Sequence, residues 1–147
     1  MCNCPNSPWV QNANTFLNRN RNNHDGKWYT IAYLLQNDHC GIDNRTSIEE
    51  VLAHLQVNGI NLSREQFQQT VLGELKRKGI VATLVYPRSA GGVFIPCNED
   101  EVKTAAEQIL NRVYSEIENI EGVAQSTSFG NLFSLLKRIV SCIKGQL

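Results

Sequence analysis

Residues 63 to 96 read SREQFQQTVLGELKRKGIVATLVYPRSAGGVFIP, and the signals in them follow a recognisable order. Ser63-Arg-Glu-Gln66 is a capping box, in which the serine hydroxyl accepts from the amide three residues on and the glutamine side chain reaches back. Phe67, Val71, Leu72 and Leu75 then fall on one face of a helix, and Gly79 supplies a left-handed stop. Ile80 to Tyr86 is rich in β-branched and aromatic residues and is closed by Pro87. Ser89-Ala-Gly-Gly92 is turn chemistry, and Val93-Phe94-Ile95 is a second short strand. The order predicted is therefore a capped helix followed by a β-hairpin.

Upstream, Ser47-Ile-Glu-Glu50 is another capping box, with Ile48, Val51, Leu52 and Leu55 as its buried face and Asn58-Gly59 as its stop. Two capped helices joined by a short glycine-containing connection make a helix-turn-helix, and the hairpin after it is a wing. From Lys27 the apolar positions Trp28, Ile31, Ala32 and Leu35 share a helix face, and the polar stretch Asn37 to Arg45 is a loop. Trp28 is assigned to the core with Tyr29 and Tyr33 at its rim, in preference to a base-stacking platform. Residues 1–26 hold eight asparagines and few apolar anchors, which predicts a flexible N-terminal arm. Arg19 and Arg21 within it are read as solvated.

Downstream, Asn98 caps a long helix whose first turn holds Glu99, Asp100 and Glu101, where the helix dipole favours anions. Val102, Ala106, Ile109, Val113, Ile117 and Ile120 recur at coiled-coil spacing, so this helix is the candidate dimerisation element. Gly122 and Ser126-Thr-Ser128 break it, and Leu132, Leu136, Ile139, Val140 and Ile143 give a last short amphipathic helix. The expected organisation is an arm at 1–26, a helix-turn-helix domain with wing at 27–97, a long helix at 98–122, and a linker with a short helix at 123–147. The fold class is mainly α with a small β-hairpin, that is α+β.

Composition bounds function weakly. The 147 residues carry no net charge, and the charge is segregated: −5 over 98–121, +3 over 122–147, and +1 over each of 1–26 and 27–97. No apolar run is long enough to span a bilayer, and the first residues lack the basic and apolar regions of a secretory signal, so a cytoplasmic protein is expected. Cys2, Cys4, Cys40, Cys97 and Cys142 are odd in number and scattered, which does not describe a disulfide framework; reduced, structural thiols are expected. Cys2, Cys4 and His39-Cys40 lack the spacing of a zinc site, so no metal is assigned. His24, His39 and His54 have no acid or nucleophile at telling spacing, and GxSxG, Walker and HExxH motifs are absent. No enzyme activity and no cofactor are expected.

Counting about 100° per residue, the face of the third helix opposite Phe67, Val71 and Leu75 carries Gln66, Gln69, Thr70, Gly73, Lys76 and Arg77. Glutamine can pair bidentately with adenine, threonine offers a hydroxyl or methyl contact, and Gly73 lets the backbone approach. Arg64 in the first turn and Lys76-Arg77-Lys78 at the far end can clamp phosphates, and Ser63 adds a backbone amide at the helix N-terminus. Arg88 in the hairpin turn is the candidate wing contact. Glu65 and Glu74 oppose this reading, because they repel phosphate.

Over residues 27 to 121 the chain resembles the winged helix-turn-helix domains of bacterial regulators and of phage-type DNA-binding proteins. Leu75-Lys-Arg-Lys-Gly-Ile-Val81 is similar to the end of many recognition helices leading into the wing. Gly91-Gly-Val-Phe-Ile-Pro96 followed by Asn-Glu-Asp-Glu-Val is similar to the ending of phage-type members. The resemblance implies sequence-specific binding of double-stranded DNA through the third helix and wing, as a transcriptional regulator or a phage- or plasmid-type protein, and a homodimer through the long helix. Two other classes stay open: a protein–protein interaction module on the same scaffold, and a peripheral membrane protein using 132–143.

Overall fold

The computed structural model describes residues 2–85 and 91–147, and they are mainly helical with one small hairpin. Helix α1 spans Pro8–Arg19, α2 Gly26–Gln36 and α3 Ile48–Val57. The next helical run consists of Arg64–Gln66, a wide π turn at Phe67–Leu72, and Gly73–Arg77; together they are α4. Strands β1 (Ala82–Leu84) and β2 (Gly92–Phe94) pair antiparallel with Thr83 opposite Val93, and α5 (Glu99–Ala124) and α6 (Gly130–Gln146) complete the chain. The α+β class read from the sequence is the class observed. The chain divides into two units, residues 1–102 and 103–147.

The first unit has one continuous core. Ile31 and Leu34 of α2, Val51 and Leu55 of α3, Phe67 and Leu75 of α4, and Val93 and Ile95 at the hairpin are all fully enclosed. Both capping boxes begin as expected. Ser63 accepts from the Gln66 amide at 3.1 Å and the Gln66 side chain accepts from Ser63 N–H at 3.0 Å. Ser47 accepts from the Glu50 amide at 3.2 Å, but the Glu50 carboxylate takes the Thr46 hydroxyl in place of the Ser47 amide. Gly59 and Gly79 hold the positive φ values (80° and 66°) at the two helix stops. Tyr29 and Tyr33 pack half-buried against the core, while half-buried Trp28 lies under His24 with ring centroids 3.6 Å apart.

The hairpin is seated by the loop between α2 and α3. Thr46 and Val93 exchange both backbone hydrogen bonds, at 3.0 and 2.8 Å, and Gly41 N–H donates to Ile95 C=O. Glu101, in the first turn of α5, accepts from the amides of Ile42 and Cys97 at 3.1 and 2.8 Å. Gly92 is buried where this pairing is closest, and a Cβ on it would run into the Thr46 carbonyl.

The first 26 residues differ from the flexible arm expected. Ser7 caps α1 by accepting from Val10 N–H, Pro8 occupies the first helical position, and Val10 and Ala13 are buried. A serine before a proline is itself a helix-start signal, here outweighed by the asparagine count. The cysteines differ as well. Cys2 is bonded to Cys40 and Cys4 to Cys97, with Cα atoms 5.6 and 5.5 Å apart, and Cys142 is an exposed free thiol. Expected as reduced thiols, four of the five are cross-links that fasten the N-terminus to the inter-helix loop and to the exit of the hairpin.

The second unit contains most of α5 with α6. Glu121 accepts from Ser134 and Lys137, both at 3.1 Å, and the Lys137 and Lys144 ammonium groups lie 5.3 and 5.5 Å from the Tyr114 ring. Ile117, Ala124 and Val140 are buried. Of the seam read from the sequence, Ile117 is enclosed, Val102 and Ala106 are half-buried, and Ile109, Val113 and Ile120 are exposed. Among the described residues no helix is long and apolar enough to cross a membrane.

Two stability predictions follow from these contacts. Gly92→Ala will destabilise the chain by about 1–3 kcal/mol, because the added methyl meets backbone and not a yielding side chain; urea denaturation of the variant beside wild type measures this. Reduction of the two disulfides will lower stability by ~2–4 kcal/mol per bridge, visible in thermal melts with and without reductant and absent as a difference in a Cys2→Ser, Cys4→Ser double variant.

Candidate nucleic-acid interface

The face of α4 turned away from the core carries most of the residues singled out by sequence. Arg64, Gln66, Gln69, Thr70, Lys76, Arg77 and Lys78 are exposed, Ser63 is exposed at the cap, and Gly73 is half-buried. Arg88 lies outside the described residues. The regular count of 100° per residue does not hold along the helix, however. Gly73 N–H donates to the Gln68 carbonyl five residues back, so each residue of the π turn advances less than in an α-helix. One consequence is that Gln68, which regular counting left off the outward face, is exposed as well.

Local bonds then decide what each side chain presents. Thr70 donates its hydroxyl to the Gln66 carbonyl at 2.7 Å, which engages that hydroxyl within the helix. Gln69 donates to Glu65 at 3.2 Å, so the acid that counted against the face braces one of its readers. The arginine side chain of Arg77 folds beside Gly73: a Cβ there would sit 3.4 Å from a guanidinium nitrogen.

Two expected phosphate contacts are committed elsewhere. Ser63 N–H donates to its own capping partner Gln66, and Arg64 is ion-paired with Glu49 of α3. The exposed cations Lys76, Arg77 and Lys78 are at the other end of the helix. Desolvation holds the Lys76 ammonium below its ordinary value, although the side chain as a whole is exposed and counts among the outward cations.

The second opposing acid is paired with a cation. Lys27 of α2 reaches Glu74 at 2.9 Å and Asp25 at 3.6 Å. The hydrogen bond to Glu74 lifts the Lys27 ammonium above its usual value, and the same bond holds the Glu74 carboxyl below the usual carboxylate range. This pairing spans 47 residues of sequence and no local pattern announces it. A depressed carboxyl contributes stability above its unfolded pKa and loses it as pH falls through the folded one; a raised lysine loses its share as pH rises through its folded value. The pair is therefore intact between those limits. In thermal melts, Glu74→Gln will be less stable than wild type at neutral pH, and the gap will close in acid below the ordinary carboxylate range.

No family model matches the chain, and no solved structure does. A curated protein named "Putative control protein C.MjaVP", from Methanocaldococcus jannaschii, is 46% identical over an alignment that covers 98% of this chain and 92% of that one.

Proposed function

This chain belongs to the family of that control protein, and from this premise we propose that it is a sequence-specific, double-stranded-DNA-binding regulator of transcription built as a winged helix-turn-helix. The observation that carries the reading is the outward face of α4: exposed glutamines, Thr70 and a basic end, with Glu65 and Glu74 both tied to neighbours. In this reading α4 lies in the major groove. Gln69 addresses base edges while Gln66 stays in the capping box, Arg77, Lys76 and Lys78 hold phosphates, and the hairpin with Arg88 lies along the backbone. The relative's name, a control protein, favours regulation over replication or maintenance.

The protein acts without catalysis or cofactor and works as a homodimer in the cytoplasm. Most of the exposed large apolar side chains among the described residues fall in 103–147, among them Ile109, Ile120, Leu132, Leu135 and Ile139, on both α5 and α6. A second copy covering that surface makes the protein two-fold symmetric, as a reader of a two-fold site is. The same exposed surface favours the alternative, a protein-interaction module without DNA. Disulfides are rare in the cytosol of mesophiles and common inside hyperthermophilic archaea, so the two bridges suit a cytoplasmic protein of the second kind of cell.

Binding to randomised duplexes across a salt series distinguishes the readings. Wild type will select a sequence and lose affinity steeply with salt; Gln69→Ala will keep the salt response and lose selectivity; Arg77→Ala will weaken all duplexes and flatten the slope by about one unit. Three indistinguishable proteins, or an affinity indifferent to salt, would leave the interaction-module reading standing.

A further inference from the structure

We propose that the cleft between α1, the start of α2 and the end of α4 is a second phosphate site, occupied by a backbone phosphate of the duplex that α4 reads. The proposal rests on the DNA-binding reading and adds α1 to the interface. The cleft measures about 430 Å³ and is lined by Arg19 and Asn20 of α1 and its end, Asn23 beyond it, Lys27 of α2, and Glu74 and Lys78 of α4 and its cap. Its walls are fixed together, since Asn12 donates to the Gly79 carbonyl at 2.9 Å, at the stop of α4.

Charge within the cleft is asymmetric. Lys27 engages both acids of the wall, Asp25 and Glu74. Arg19 is left without an ion-pair partner among the described residues, and Lys78 adds a second positive charge beside the Glu74 that Lys27 already holds. Among the described residues the side-chain amide of Asn23 has no hydrogen-bond partner. A guanidinium, an ammonium and an amide donor lining one concavity are the groups that hold a phosphate oxygen set. Solvated surface cations would diverge, as Arg21 does: it is outside the cleft and donates back to the Asn18 carbonyl at 3.2 Å. Because two disulfides and a capped helix hold Arg19 in place, phosphate capture there orders no loose arm.

The test compares salt-dependent duplex binding of wild type, Arg19→Ala, Asn23→Ala and Arg21→Ala. Arg19→Ala is expected to weaken binding about 3- to 10-fold at low salt and to reduce the salt slope by about one unit, with sequence preference unchanged. Asn23→Ala is expected to weaken binding without changing the slope, and Arg21→Ala to match wild type. If Arg19→Ala keeps the wild-type slope, or Arg21→Ala loses as much, the cleft is not a phosphate site even though the DNA-binding reading survives. If wild type shows no salt-dependent duplex binding, that reading fails, and titration of inorganic pyrophosphate against the Asn20 and Asn23 side-chain amide resonances decides the cleft by itself. A response abolished by Arg19→Ala would replace the duplex with a free phosphate as occupant, and no response would remove the site.

Discussion

Thr46 and Val93 bond each other twice through their backbones, and the architecture of the first unit hangs on that exchange. A two-stranded hairpin of three residues a side is marginal alone. The extra pairing with Thr46 and the nearby bond from Gly41 to Ile95 give β2 partners on its second edge, so its buried amides and carbonyls are satisfied. Once β2 is fixed against the loop between α2 and α3, Val93 and Ile95 reach the common core. Helix α4, whose Gly79 stop leads directly into β1, is thereby held with Phe67 and Leu75 inward and its polar face free.

Electrostatics refine that face. A neutral protein has no overall field to draw it to a polyanion, so the local arrangement of charge carries the whole effect. Glu74 belongs to α4 but is compensated from α2, and Arg64 belongs to α4 but is drawn towards α3. The net outcome is a helix whose first turn keeps the Glu65 charge, held by the neutral Gln69 amide, and whose last turn is positive.

Local signals were legible in the sequence and non-local ones were not. The Ser63 box, the stops at Gly59 and Gly79, the hairpin and the Asn98 cap each depend on residues within four positions of one another. Helix α1 was equally local in the Ser7-Pro8 start, yet eight asparagines argued for an arm; burial of Val10 and Ala13 against the core overrode their weak helix propensity. The π turn has no sequence mark that periodicity can see, and a regular count places Gln68 off the outward face. Cysteine pairing across 38 and 93 residues and the Lys27–Glu74 contact arise only once the chain has folded.

The two cross-links interlace: the span from Cys2 to Cys40 overlaps the span from Cys4 to Cys97 without lying inside it. Any single backbone cut between residues 4 and 97 therefore leaves both fragments joined by at least one covalent bridge. A protease that nicks this region produces a molecule of unchanged mass apart from one water, separable only after reduction. A cut between Cys97 and residue 103 has no such safeguard, and it releases residues 103–147 from the cross-linked first unit.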